Sequence, residues 1–264
     1  MTETILYISY NGITEPLVRS QVLNYLEGLV GKGYHFALLT FEKARLDDAE
    51  VRGIRQKLHE KGIEWHWLPY HHKPQMLGTA RDIRSGARLA LKLTRQYRVK
   101  LLHARSFVPA LIARNIKRKT GIPFVNDIRG FWVDEKAYKG SLSQDSLMFQ
   151  WGKRLERKVY LESDAIVSLS KAGLEEIKSW TLWQDKNPPL TVTIPTCVDI
   201  DAYQPRQELN PTAPVFGYVG SVGRGYLGRE IFQFFKAAQN TFPESRLLIV
   251  SSSDHAQLEK WCSE

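Results

Sequence analysis

Cysteine is scarce in this sequence. The 264 residues include two cysteines, Cys197 and Cys262, which give neither a zinc motif nor a disulfide framework, so we expect a reducing, cytoplasmic environment. Long apolar runs are also missing, which argues against a transmembrane helix, and we expect no secretory leader because the first residues lack a basic stretch followed by an apolar one. With 43% hydrophobic and 25% charged residues, the composition is that of a globular protein.

Acidic residues are almost absent from one segment of the chain. Between Lys73 and Thr120 the sequence has 13 lysines and arginines but one acidic residue, Asp82. Because the rest of the chain is slightly acidic, this segment accounts for the whole net charge of +9. The imbalance predicts a polyanionic partner, such as an anionic membrane surface, a nucleic acid or a phosphorylated ligand.

Strand and helix patterns alternate from the N-terminus. Residues 4–34 contain a short apolar strand, a turn at Gly12 and an amphipathic helix that opens at Pro16. Further strands follow, each separated from the next by a helical pattern. The order predicts an α/β fold, a doubly wound parallel sheet of the Rossmann-like kind. Ligands of such sheets bind at the carboxyl ends of the strands, beside helix N-termini.

Composition divides the chain into three segments. Residues 1–203 are predicted to form the first Rossmann-like domain, and the proline-bearing residues 204–213 a polar linker. Residues 214–264 begin a second βαβ unit that stops shortly after its second strand. Because two strands bury little apolar surface, we expect an incomplete domain. It would pack on the first domain, pair with another chain, or be the remnant of a truncation.

Four stretches, in order, carry a resemblance to a known family. They are ISYNGITEPLVRSQVLNYLEGL from Ile8, DIRGFWVDE from Asp127, ERKVYLESDAIVSLS from Glu156 and IPTCVDIDAYQP from Ile194. Together they resemble the N-terminal domain of family 4 glycosyltransferases, which have the GT-B architecture of two facing Rossmann-like domains. The stretch VGSVGRGYLGREIF, from Val219, is similar to the start of the second, donor-side domain.

The resemblance implies a function. It predicts a retaining glycosyltransferase that moves a sugar from a nucleotide-sugar donor to a polysaccharide or lipid-linked glycan acceptor, with no metal and no other cofactor. The sequence departs from the family at Cys197, where the hinge has glycine, and at Ser221, where an arginine is usual. It also has no counterpart of the glutamate pair that holds the donor's ribose and sugar. The alternative is therefore a non-catalytic acceptor-binding or partner subunit of a split glycosyltransferase, completed by a second chain, or of a truncated one.

Metal-ligand spacing is not recognisable in the sequence. His66, His71 and His72 lie near Glu64, but the spacing fits no known motif, and a strand end with its loop explains it better. The only Asp-x-Asp tripeptide, at Asp199, falls inside the hinge stretch and is interpreted as structural.

Candidate site residues lie at strand ends and in the donor-side opening. We predict catalytic roles for His103 and Asp127, since histidine and carboxylate can orient or exchange protons with a sugar hydroxyl. An equally simple interpretation is a backbone-bonded histidine and a structural Asp–Arg pair. Further residues are predicted to bind the donor (Asn11, Gly12, Ser221, Arg224, Arg229) or the acceptor (Thr14, Arg105, Arg129, Trp132, Glu135).

Basic residues recur along one helical pattern. Arg81, Arg84, Arg88, Lys92 and Arg95 are spaced three or four residues apart and form one stripe. An amphipathic basic helix of this kind is typical of proteins that lie on an anionic membrane, and a lipid-linked acceptor would explain it. A solvated helix face is the competing interpretation. Because no nucleic-acid motif is present, we expect no nucleic-acid partner.

Overall fold

The computed structural model describes residues 3–71, 75–183, 187–198, 200–202, 213–222, 226–251 and 255–263. It separates into two compact units, Met1–Asp199 and Ile200–Glu264. The predicted linker falls almost entirely outside the described residues, so the domain bounds proposed from composition stay a prediction.

The first unit is built on seven parallel strands. They are β1 (Thr4–Ser9), β2 (His35–Glu42), β3 (Ile63–Pro69), β4 (Leu101–Arg105), β5 (Phe124–Ile128), β6 (Ala165–Ser168) and β7 (Leu190–Thr193). Their order in the sheet is β3-β2-β1-β4-β5-β6-β7. The chain therefore winds outward from β1 in one direction and then, starting at β4, in the other. This confirms the doubly wound fold predicted from sequence and places the crossover between β1 and β4.

Helices cover both faces of this sheet. They are α1 (Pro16–Val18), α2 (Asn24–Val30), α3 (Asp48–Glu60), α4 (Gln75–Gln96), α5 (Phe107–Thr120), α6 (Trp132–Tyr138), α7 (Leu147–Glu162) and α8 (Lys171–Ser179). One core joins α4, α5 and α7 to Leu6, Ile8 and Leu102 of the sheet. A second core joins α2 and α3 to Tyr7 and Leu38 on the opposite face. The alternation follows from the period of two along a strand.

Two local features differ from the sequence prediction. The helix that opens at Pro16 contains a π-helical turn, Arg19–Leu23, between α1 and α2, a feature that hydrophobic spacing does not reveal. The segment predicted as a loop, residues 130–143, contains α6. Its short helix forms because Val133 is fully buried and packs beside Gly152 of α7, a tertiary contact that local propensity does not encode.

The second unit contains β8 (Val215–Val219), α9 (Gly228–Gln239), β9 (Arg246–Val250) and α10 (His255–Ser263). Its two strands are parallel, as predicted for a second βαβ unit. Phe216 packs against Phe234 and Phe235 of α9, whereas Val219 and Leu248 stay mostly exposed. Among the described residues of both units, no helix is long and apolar enough to cross a membrane.

Gly86 of α4 provides a test of how tightly the first core is packed. A Cβ atom there would lie 2.7 Å from Cδ1 of Ile112 and 2.8 Å from Cζ of Phe41. We expect Gly86→Ala to lower the free energy of unfolding by about 1–3 kcal/mol, because the overpacking outweighs the better helix propensity of alanine. Urea titration of the intact chain measures the change.

Gly53 of α3 is the matched control, because a Cβ there would meet no atom within 4 Å. Gly53→Ala should raise the free energy of unfolding by up to about 1 kcal/mol through helix propensity alone. Equal effects of the two substitutions would show that α4 does not pack on the sheet as described.

Candidate functional site

A row of polar residues crosses the carboxyl edge of the sheet where its winding reverses. Ser9 of β1 pairs in register with Arg105 of β4, and Arg105 pairs with Asp127 of β5. Residues in register on parallel strands present their side chains to the same face. The strand order therefore brings together residues that lie more than a hundred positions apart in the sequence.

His103 and Asp127 are the centre of this row. Nε2 of His103 lies 3.4 Å from Oδ2 of Asp127, and the imidazole stacks on the buried ring of Tyr7 at 4.4 Å between centroids. The stacking fixes the plane of the imidazole, and its side chain remains 27% exposed. The structure thus brings the two predicted catalytic residues together and leaves the histidine accessible.

Two arginines converge on a single glutamine. Nη2 of Arg105 donates to Oε1 of Gln21 at 2.6 Å, and Nη2 of Arg129 donates to the same oxygen at 2.9 Å. Nη1 of Arg129 also lies 3.6 Å from Oδ1 of Asp127. Gln21 belongs to the π-helical turn, so this irregular turn supplies the acceptor that holds both guanidinium groups beside the carboxylate.

Asp127 keeps one acceptor atom without a hydrogen bond. Its Oδ1 is buried and receives no hydrogen bond from any described residue, although Arg129 lies near it. Burial alone would raise the pKa of the Asp127 carboxyl, but the hydrogen bond with His103 and the charges of His103, Arg129 and Arg105 hold that pKa below its usual range. The site therefore holds an ionised carboxylate with one buried oxygen whose hydrogen-bonding capacity is unused.

The backbone is strained next to this cluster. Ser106, directly after Arg105, has φ 76° and ψ 177°. Residues other than glycine rarely adopt this backbone conformation. Its amide donates to the carbonyl of Asp127 at 2.8 Å, which fixes the turn from β4 into α5. Strain of this kind costs on the order of 1–3 kcal/mol and concentrates at functional sites.

The hinge stretch after β7 reaches the same cluster. Nη2 of Arg129 donates to Oγ1 of Thr196 at 3.2 Å. Tyr25 of α2 donates its hydroxyl hydrogen to the carbonyl of Pro195 at 2.8 Å and accepts from the amide of Cys197 at 3.2 Å. Cys197, the departure from the family pattern, thus lies in a segment attached to the first helices by backbone groups.

Two carboxylates accept hydrogen bonds from the backbone amides of the loop after β1. Glu15 accepts from the amide of Gly12 at 2.8 Å and from the side-chain amide of Asn11 at 2.8 Å. Buried Glu42 accepts from the amide of Ile13 at 2.8 Å. A Cβ at residue 12 would collide with the Glu42 carboxylate, so glycine is required by this close approach. Donor binding at Asn11 and Gly12 stays a prediction, and it would require a phosphate to displace Glu15.

Other predicted acceptor-binding residues contact partners other than His103 and Asp127. Thr14 donates weakly to Glu42 at 3.5 Å. Trp132 packs on Phe107 with centroids 5.3 Å apart and lines an apolar cavity, while Glu135 is exposed on α6 and fills the space beside Gly130.

The predicted donor residues of the second unit are only partly described. The carbonyl of Ser221 accepts from the Tyr218 hydroxyl at 2.6 Å. Arg229 is exposed in the first turn of α9, and Arg224 lies outside the described residues. The donor roles of these residues stay predictions.

Several members of the cluster were missed by the sequence reasoning. They are Tyr7, Gln21, Tyr25 and Thr196. The i,i+4 spacing of Gln21 and Tyr25 places both on one helix face, but only the strand order shows that Arg105 and Arg129 lie opposite them.

Comparison with known families decides the identity of the first unit. The family model for the glycosyl transferase 4-like domain matches residues 18–188, which are more than half of the chain and include strands β2 to β6 of the sheet. The chain belongs to the glycosyl transferase 4-like family. None of the curated proteins compared with the chain matches it in sequence.

Solved structures show how far the fold of this glycosyl transferase 4-like protein extends. Sucrose-phosphate synthase from Thermosynechococcus elongatus aligns at a TM-score of 0.70 with 13% identity, over 98% of this chain and 68% of that one. A glycosyltransferase from Rickettsia africae aligns at a TM-score of 0.59 with 14% identity, over 99% of this chain and 63% of that one. HepE from Anabaena aligns at a TM-score of 0.59 with 14% identity, over 98% of this chain and 64% of that one. The first unit thus has the Rossmann-like fold of the N-terminal half of GT-B glycosyltransferases, and the chain spans about two thirds of the length of these structures.

Asp127→Asn tests the electrostatics of the cluster formed by His103, Asp127, Arg105 and Arg129. The substitution keeps the shape of the side chain but removes the charge that balances Arg105 and Arg129, so we expect a loss of roughly 2–4 kcal/mol in the free energy of unfolding at pH 7. The native pKa lies below that of the unfolded chain. The ionised Asp127 therefore stabilises the folded protein fully at pH values above the pKa of the unfolded chain. This stabilisation is lost as the pH falls below about 4.

Urea titrations at pH 7 and near pH 3 measure this difference between the parent and the variant. Asp145→Asn, at an exposed loop carboxylate, is the control and should change stability by less than about 0.5 kcal/mol at either pH. A gap between parent and Asp127→Asn that widens on acidification would contradict the assigned charge balance.

Proposed function

We propose that this protein is a retaining glycosyltransferase that moves a sugar from a nucleotide-sugar donor to a polysaccharide or lipid-linked glycan acceptor. The observation that carries the proposal is the cluster of His103, Asp127, Arg105 and Arg129 at the point where the sheet reverses, inside a glycosyl transferase 4-like domain. HepE, which shares the fold, was solved in complex with UDP and glucose, which supports a nucleotide sugar as the donor class.

Asp127 orients the acceptor in this mechanism. Its Oδ1 is buried and has no hydrogen bond from a described residue, so in this mechanism it becomes accessible when the acceptor binds and then accepts a hydrogen bond from the attacking hydroxyl. Its Oδ2 fixes the orientation of His103. Because the pKa of Asp127 is lowered, the carboxylate stays ionised at neutral pH and works as an orienting group. Holding the hydroxyl in line with the sugar is itself a large part of the rate enhancement in such reactions.

The arginines supply charge stabilisation. As the bond from the anomeric carbon to the phosphate oxygen breaks, the acceptor oxygen bonds to the same face of that carbon, and the hydroxyl proton leaves with the nucleoside diphosphate. Arg105 and Arg129 are held side by side by Gln21, and planar guanidinium groups bind anionic oxygens in pairs. They can hold an acidic acceptor or stabilise the departing diphosphate.

Turnover assays with a panel of UDP- and GDP-sugars test the proposal. The full protein is mixed with lipid-linked glycans extracted from membranes, and release of nucleoside diphosphate is measured. We expect His103→Ala and Asp127→Ala each to lower kcat by at least about 100-fold, and NMR of the product to show retention. Glu175→Gln, at an exposed carboxylate of α8, should leave kcat unchanged.

The non-catalytic alternative makes a different prediction in the same assay. An acceptor-binding subunit would bind glycan but release no diphosphate from any donor, and adding the partner chain would restore turnover. Unchanged kcat in both alanine variants of an active protein would instead show that catalysis occurs elsewhere.

The basic stripe supports a peripheral position on a membrane as part of this proposal. The five cations of α4 are all exposed, and none forms an ion pair with another described residue. The one acidic residue of α4, Asp82, is buried and bound to Tyr10 and His71. The positive charge on this face is therefore not neutralised by its own helix.

Charge reversal tests the membrane association. Arg84→Glu combined with Arg88→Glu should weaken sedimentation with vesicles containing phosphatidylglycerol by at least about tenfold, since each cation near an anionic surface contributes on the order of 1 kcal/mol. Lys171→Glu combined with Lys178→Glu on α8 changes net charge equally and is the control. Similar losses of vesicle binding in both double variants, or equal binding of the parent to neutral and anionic vesicles, would contradict membrane binding through the basic stripe.

A further inference from the structure

An apolar cavity lies between α4, α5, α6 and α7, on the face of the sheet that carries the basic helix. Its volume is about 310 Å³, within the range of small-molecule pockets. Its walls are mainly aliphatic and aromatic, and include Leu77, Phe107, Leu111, Trp132, Met148 and Trp151. The His103–Asp127 cluster is not part of its lining, and of the predicted acceptor-binding residues only Trp132 lines it. The chemistry proposed at the sheet edge therefore does not account for the cavity.

Large apolar side chains stand exposed where this cavity opens. Leu77 is 70% exposed and Trp151 is 58% exposed, and both line the cavity. Met148, in the first turn of α7, is 42% exposed and also lines the cavity. Single exposed apolar residues are common on protein surfaces, but several around the opening of one apolar cavity mark a contact with an apolar partner.

The basic stripe continues the line of these apolar residues. Leu77 lies four residues before Arg81, so the stripe of α4 begins with a leucine and continues as cations. Within the cavity wall, Nζ of Lys136 lies over the ring of Trp132, 5.3 Å from its centroid. Lys139, directly after α6, and Arg154 of α7 are exposed, while Glu135 and Asp145 are exposed acids nearby in sequence. Aromatic and aliphatic groups beside cations are typical of interfacial membrane contacts.

We propose that this surface inserts into an anionic bilayer and that the cavity accepts a hydrocarbon chain of an anionic phospholipid. The apolar lining fits the chain, and the cations of α4 fit the phosphate of the headgroup. A nucleic acid would meet the cations but leave Leu77, Met148 and Trp151 exposed to water. The inference deepens the membrane part of the proposed function and rests on it, whereas it does not depend on catalysis.

Quenching by brominated lipids separates insertion from electrostatic adsorption. The intact chain is mixed with vesicles of phosphatidylcholine and phosphatidylglycerol brominated in the middle of their acyl chains, and tryptophan fluorescence is compared with that in unbrominated vesicles. We expect quenching of the parent, at least half of which is lost in Trp151→Phe. Trp180→Phe is the control, because Trp180 packs on Tyr160 and Phe131, and it should keep the quenching.

A matched pair of leucines tests the affinity. Leu77→Ser should weaken binding to vesicles containing phosphatidylglycerol by at least fivefold, whereas Leu190→Ser, at an equally exposed leucine of β7, should not. Neither substitution alters charge, so a loss confined to Leu77→Ser supports apolar insertion at the cavity.

The outcomes distinguish this inference from the proposals before it. Sedimentation with anionic vesicles without quenching would overturn insertion and leave the basic stripe intact. No sedimentation at all would overturn both, while turnover with a water-soluble glycan would still test the transferase by itself. Binding that requires polyprenyl phosphate in the vesicles would overturn the phospholipid as occupant in favour of a lipid-linked acceptor.

Discussion

The buried carboxylate of Asp127 is the constraint on which the edge of the first unit depends. Removed from most solvent, this charge must be compensated, and the compensation comes from three directions: the imidazole of His103 on β4, the guanidinium group of Arg129 just after β5, and the nearby charge of Arg105. Gln21 joins the two arginines and so connects the sheet edge to the first helix. Electrostatic balance therefore acts together with the stacking of His103 on Tyr7 in fixing the geometry here.

That balance explains why irregular backbone collects at the same place. The π-helical turn carries Gln21, and the strained Ser106 follows Arg105 directly. A regular helix and an unstrained turn would cost less locally. The π-helical turn and the strained Ser106 persist because the charged groups that they position would otherwise be buried without partners. In the proposed function, the remaining free oxygen of Asp127 is the atom that a ligand hydroxyl would contact.

The sequence predicted the sheet well and the cluster only in part. Apolar runs and helical spacing locate the strands from β1 to β7 because each signal is local. His103, Asp127, Arg105 and Arg129 were found because they end or follow such strands. Gln21, Tyr25 and Tyr7 were not, since their relevance depends on strand order and on a π turn. The helix α6 was missed for a similar reason, because Val133 is buried by α7 rather than by its own periodicity. The apolar cavity could not be predicted either, because its walls come from four helices whose relative positions the sequence does not reveal.

The central claim is that the His103–Asp127 pair meets the reacting sugars. The most direct measurement is NMR of the protein with 15N-labelled histidine rings, titrated with the nucleotide sugar and glycan that turnover identifies. The account predicts that the ring signals of His103, assigned by their loss in His103→Gln, shift on binding in the parent and shift much less in Asp127→Asn. Saturating ligand that leaves the His103 signals unmoved would contradict it.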